Sequence, residues 1–124
     1  MKKKILLVDD SRTSLFMERM ILKDGPWELL TAEDGQQAVE RALAERPHLI
    51  LMDVVMPRMS GFEALRELRA RSETRDTPVI LVTTRGEPAN VEEGYQNGCS
   101  GYLTKPIDPD TLLASVESCL GVVS

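Results

Sequence analysis

Three short runs of the chain are apolar at every position: Ile5-Leu6-Leu7-Val8, Leu49-Ile50-Leu51-Met52 and Val79-Ile80-Leu81-Val82. Runs of that length without alternation suit strands covered on both faces of a parallel sheet. Two weaker runs, residues 28–32 and 101–104, predict a second and a fifth strand. Between the runs the period changes to that of a helix. Residues 12–23 follow Ser11, a candidate N-cap. Residues 35–45 align Ala38, Val39, Ala42 and Leu43 on one stripe. Residues 61–70 start with Ser60 and Glu63 at capping-box spacing and carry Phe62, Leu65 and Leu68 on one face. Residues 87–97 are polar and stop before Gly98, a candidate C′ residue. Residues 109–120 place Leu112, Leu113, Val116, Cys119 and Leu120 on one face, with Asp108 as cap and Pro109 at N1. The predicted order is strand–helix repeated five times, an α/β doubly wound fold with a five-stranded parallel sheet and right-handed crossovers.

Length and charge narrow this picture. The chain has 124 residues, enough for one core, and is read as a single domain over 1–124 with no output domain. Fifteen Lys+Arg against 20 Asp+Glu give a net charge of −5, which argues against a nucleic-acid binder. The apolar runs are too short for a membrane span or a signal peptide, so a cytoplasmic protein is expected. Lys2-Lys3-Lys4 reads as a solvated strand start. Two cysteines and one histidine make neither a disulfide framework nor a zinc site, and Cys99 and Cys119 read as small buried hydrophobes. Met17 and Met20 read as core residues rather than a binding surface. His48 precedes the third strand and reads as an exposed polar residue, not a relay histidine. Trp27 reads as a packing residue at the same end of the sheet.

The chemistry collects at the other end. In open α/β sheets, ligands bind beyond the carboxyl ends of the strands. Asp9 and Asp10 follow the first strand, Asp53 the third, Thr83 ends the fourth, and Lys105-Pro106 follow the fifth. Adjacent strand ends lie about 5 Å apart, so the three carboxylates repel one another. A small hard cation such as Mg²⁺ relieves that repulsion. A carboxylate beside it can attack a phosphoryl group, while Lys105 supplies a point charge and Thr83 a hydroxyl donor.

The segments Leu6-Leu7-Val8-Asp9-Asp10, Leu49 to Pro57, Pro78 to Thr83 and Gly101 to Pro106 resemble the receiver domain of bacterial two-component response regulators, of the stand-alone chemotaxis type, over nearly the whole chain. The resemblance implies the flavodoxin-like strand order 2-1-3-4-5. It implies Asp53 as phosphoacceptor, Asp10, Asp53 and the Val55 backbone carbonyl as Mg²⁺ ligands, and Asp9 acting through a water. Thr83 matches the switch hydroxyl, Lys105 the phosphoryl-binding lysine, and Tyr102 the aromatic that turns inward when Thr83 moves. The Lys105-Pro106 bond is expected to be cis. Val55 and Thr84 stand at variable positions beside the acceptor, and both are expected to restrict attacking water.

The implied activity is phosphoryl acceptance from a histidine kinase or histidine phosphotransfer protein. It switches the surface of the fourth helix, fifth strand and fifth helix for a downstream target. The chain would be a phosphoacceptor assisting its own Mg²⁺-dependent phosphorylation and dephosphorylation rather than an enzyme, and a monomer or weak dimer. A haloacid-dehalogenase-type phosphatase needs a second Asp where Val55 stands, and an FMN carrier needs a glycine-rich loop where Asp9-Asp10-Ser11-Arg12 stands. A degenerate receiver acting as a phosphorylation-independent docking module is the remaining alternative.

Overall fold

The computed structural model describes residues 2–84 and 88–121. Five strands alternate with five helices: β1 (Lys3–Val8), α1 (Arg12–Leu22), β2 (Trp27–Ala32), α2 (Gly35–Glu45), β3 (Leu49–Asp53), α3 (Gly61–Ala70), β4 (Val79–Thr83), α4 (Pro88–Gln96), β5 (Gly101–Thr104) and α5 (Pro109–Leu120). The expected start of the fourth helix at residue 87 lies outside the described residues. All strand pairings are parallel, in the order β2-β1-β3-β4-β5, with Ile5 opposite Leu49, Ile50 opposite Val79 and Ile80 opposite Gly101.

The apolar strands sit where their sequence requires. Every residue of β3 and β4 is buried, as are Ile5 to Val8 in β1. The weaker strands, β2 and β5, are the edges, which explains their mixed composition. Alternate side chains feed two cores. Leu6, Val8, Ile50, Met52 and Leu81 face α2 and α3, where Phe62, Leu65 and Leu68 close the layer. Ile5, Leu7, Leu51, Ile80 and Val82 face α1 and α5 through Leu15, Leu22, Leu112 and Val116.

The helix ends follow local chemistry. Ser11 accepts from the Ser14 amide, Ser60 and Glu63 form a reciprocal capping box, and Asp108 accepts from the Thr111 amide. Asp34 caps α2 in the same way through the Gln37 amide. Cys99 is buried and Cys119 half-buried, both as free thiols. Lys4 is less solvated than its sequence suggests. Its ammonium lies 3.0 Å from Glu45, and its amide donates to Nδ1 of exposed His48 at 2.9 Å.

The expectation that Met17 and Met20 belong to the core is wrong. They are 56% and 46% exposed, beside Phe16 at 63%. The inward stripe of α1 is Leu15, Glu18 and Leu22, spaced three and four residues apart. A carboxylate occupies the middle of that stripe, and a phase read from apolar residues alone turns the helix the wrong way.

Trp27 is buried at the amino end of β2 and donates from Nε1 to the Leu22 carbonyl at 2.6 Å, closing the end of α1. The indole lies so close over Gly25 that any side chain there would overlap it. The six-residue strand spans about 17 Å at about 3.3 Å per residue, so the indole lies far from the carboxyl ends. Trp27 emission should therefore change little on adding Mg²⁺ or a phosphodonor. A strong quench in a fluorescence titration would contradict this placement.

Candidate functional site

The parallel register sets the carboxyl ends of β1, β3 and β4 side by side. Val8 pairs with Met52 and Asp53 with Val82, so the residue after β1 stands beside the last residue of β3. Asp9 is 1% exposed and Asp53 7%, whereas Asp10 is exposed. One oxygen from each of these three carboxylates lies within 4.8 Å of the others. Thr83 is buried at the end of β4, next to them in the sheet.

Lys105 reaches in from beyond the edge strand. Its amide donates to the Thr83 carbonyl at 2.6 Å, and the Lys105-Pro106 peptide is cis, as expected. Its ammonium donates to Asp9 Oδ2 at 2.6 Å and Ser14 Oγ at 3.2 Å, and stands 3.5 Å from Asp53 Oδ2. Asp9 Oδ1 accepts from the Ser11 amide at 2.9 Å, which ties the β1–α1 loop to the same carboxylate.

Electrostatics follow from this crowding. Burial and the neighbouring Asp9 charge push the Asp53 carboxyl up to about 6, against the pull of Lys105 and the Val54 amide. Burial opposes the Lys105 charge, but the hydrogen bond to Asp9 and the Asp53 and Asp9 charges prevail and hold it above the ordinary lysine range. At neutral pH Asp53 is therefore largely ionised and keeps nucleophilic lone pairs beside a cation. The donor set is hard oxygen with excess negative charge, which fits Mg²⁺ and not a soft metal.

The loop after β3 is held from two sides. The Gly61 amide donates to the Val54 carbonyl at 2.8 Å, and a Cβ at Gly61 would run into the Asp53 carbonyl. Arg58, in the left-handed region at φ 66°, donates to Asp34 Oδ2 at 2.6 Å. The Gln37 amide at the helix cap, and then this Arg58 hydrogen bond, keep the Asp34 carboxyl below its usual range. Val55 and Thr84 are both exposed at the mouth of the site. The Tyr102 hydroxyl is already buried, with its pKa raised by burial and pulled back by neighbouring Thr83.

Every residue picked from the strand ends thus reaches one locality. His48 and Trp27 lie at the opposite end. Sequence reading missed Ser14 and Glu18, one helical turn apart on α1, and the Asp34–Arg58 pair. A charged residue in phase with Leu15 and Leu22 was the available signal for Glu18.

Comparison with known proteins settles the family. The response regulator receiver domain matches residues 5–117. This chain belongs to the receiver domain family of response regulators. The receiver is 40% identical to the protein PilH of Pseudomonas aeruginosa over 117 residues, 94% of this chain and 97% of PilH. It spans about half the length of some transcriptional regulators that it also matches. Among solved structures it superposes on the chemotaxis protein CheY4 of Vibrio cholerae with a TM-score of 0.91 and 38% identity, covering 97% of this chain and all of that one. The receiver domain of the Pseudomonas aeruginosa sensor kinase PA1611 gives a TM-score of 0.89 at 30% identity, with 98% and 99% coverage, and holds a magnesium ion in its active-site cleft. The flavodoxin-like topology is therefore that of the CheY-like receivers. Receivers of this family are signalling phosphoacceptor domains that work with histidine kinases and downstream targets. Among the described residues, no helix is long and apolar enough to cross a membrane.

Proposed function

We propose that this receiver accepts a phosphoryl group on Asp53 from a histidine kinase or histidine phosphotransfer protein. The observation that carries this reading is the meeting of buried Asp53 with Asp9, Asp10 and the Lys105 ammonium at one end of the sheet. Asp10, Asp53 and the Val55 carbonyl would hold Mg²⁺, with Asp9 acting through a water. When bound, the ion neutralises charge on the phosphoryl oxygens. An Asp53 carboxylate oxygen forms the new bond to phosphorus as the bond to the donor breaks, and the donor atom keeps the electron pair. Lys105 orients the transferred oxygens as a point charge, and Thr83 donates its hydroxyl to them.

The Tyr102 hydroxyl, already inside, is fixed there when Thr83 moves toward the phosphoryl group. The surface of α4, β5 and α5 then favours a downstream partner through its differential contacts with the two states. The domain acts in the cytoplasm as a monomer or weak dimer, spans 1–124 as one unit, and turns over no separate substrate.

Incubation with Mg²⁺ and acetyl phosphate, followed by intact mass measurement, tests this reading. One phosphoryl gain is expected, absent without Mg²⁺ and absent in Asp53→Asn. No gain from acetyl phosphate or from a phosphorylated histidine donor leaves the docking-module reading. Val55 and Thr84, at the mouth, slow the return of water. Thr84→Ala should speed dephosphorylation by about threefold, less than 1 kcal/mol of barrier. An unchanged or slower loss of the phosphoryl mass would remove Thr84 from this role.

A further inference from the structure

Glu18 has no place in the chemistry just described, yet it is 3% exposed in the middle of the inward stripe of α1. Its Oε1 is buried without a hydrogen-bond partner among the described residues. A carboxyl group in that condition is costly to bury, and an apolar residue would fill the stripe better. Ser14 lies one turn before it on the same face and already accepts from the Lys105 ammonium at 3.2 Å. Glu18 and Lys105 line one cavity of about 100 Å³, walled by Ser14, Met17, Ile21 and Pro106. The ammonium therefore contacts the Asp9 carboxylate and the Ser14 hydroxyl, stands 3.5 Å from Asp53, and shares its cavity with Glu18.

We propose that Glu18 is a positioning residue of the phosphoryl site, acting through Lys105: with Ser14 it forms a second station on α1 that draws the ammonium away from Asp53. The proposal rests on the reading of Asp53 as phosphoacceptor. The charged groups that act on Glu18 are Asp9 from the β1–α1 loop, Asp53 from β3 and Lys105 from the β5–α5 loop. Burial, then the Asp9 charge, push Glu18 up to about 8, with Lys105 opposing. Below that pH the station is neutral, and the ammonium rests on Asp9 and beside Asp53, as observed. Above it the ionised carboxylate competes for the ammonium, and the phosphoryl group on Asp53 loses its nearest point charge. The receiver thereby carries a device that weakens phosphoryl capture in alkaline conditions.

The test compares wild type with Glu18→Gln and Glu18→Leu at saturating Mg²⁺, from pH 6.5 to 9. The rate of phosphoryl gain from acetyl phosphate should fall in the wild type by about fivefold relative to either variant, the effect of one partly screened charge. In parallel, the side-chain carbon signals of Lys105 should titrate with a midpoint near that of Glu18 in the wild type only. A merely structural Glu18 predicts parallel rate profiles in all three proteins and a Lys105 signal indifferent to the substitution. Either result overturns the proposal. Glu18→Leu keeps the test intact where Glu18→Gln folds poorly. Should no phosphoryl gain occur at all, the functional reading fails on mass alone, while the Lys105 titration still decides whether the second station exists.

Discussion

Lys105→Ala should reduce the rate of phosphoryl gain at Asp53 by about 100-fold, the usual loss on removing one preorganised electrostatic partner of a reacting centre. Two separable effects contribute to the loss. The phosphoryl oxygens lose the ammonium that stands 3.5 Å from Asp53. Asp53 also loses the cation that opposes its rise to about 6, so a smaller fraction is ionised at neutral pH. Raising the pH to 8 restores the second effect and not the first, so the defect should shrink with pH without vanishing. Lys105→Arg should rescue poorly, because a planar fork does not reproduce a compact ammonium held between Asp9 and Ser14. Without Mg²⁺, Lys105→Ala should also lower stability by about 3 kcal/mol, since Asp9, 1% exposed, is left as an unpaired buried charge. Rates of mass gain and urea midpoints decide both parts. Rates within twofold of wild type would remove Lys105 from the chemistry.

That prediction depends on residues whose types and strand-end positions were readable in the sequence. Asp9, Asp53 and Thr83 follow or end fully apolar runs, and such runs are central strands whose ends share one edge. Strand order was not readable from periodicity, because β1, β3 and β4 have interchangeable apolar patterns. It came from resemblance to receivers, and the observed β2-β1-β3-β4-β5 order agrees. What periodicity misread was the rotation of α1. Met17 and Met20 look like core residues until Glu18 is recognised as the inward residue between Leu15 and Leu22. A buried carboxylate runs against transfer energetics, so its inward placement becomes intelligible only beside Lys105, which lies far away in sequence. The Asp34–Arg58 pair was hidden for a similar reason. Each residue has an ordinary loop identity, and only the fold brings the α2 cap against the loop after β3.

Stability in the absence of divalent ions should rise as the pH is lowered from 8.5 to 5.5, opposite to the trend of a protein whose buried carboxylates are held ionised by partners. Two carboxyl groups set the sign. Asp53 moves from 3.8 to about 6 on folding, first through burial and then through the Asp9 charge. Glu18 moves from 4.5 to about 8, with burial again the leading cause. A group whose folded pKa is raised binds its proton more tightly in the native state. The stability it contributes is fully present below its unfolded pKa and is lost as pH rises through the folded one. The gain on acidification should be about 3 kcal/mol, below the sum of the two shifts taken singly, because both groups interact with Asp9 and Lys105. Lys105 does not alter the window, since its raised pKa is lost only at strongly alkaline pH. Asp34 opposes this trend at the acid end, since its lowered pKa means that stability is lost as pH falls below the ordinary aspartate range. Urea midpoints in chelator should show Glu18→Gln losing slope across the window up to about pH 8, and Asp53→Asn losing only the added slope below about pH 6. Added Mg²⁺ should flatten the Asp53 part most, because Glu18 lies outside the acidic triplet and feels the ion only through the Asp9 and Asp53 charges. A stability that rises with pH over this range would show that both carboxyl groups are better solvated than their burial implies.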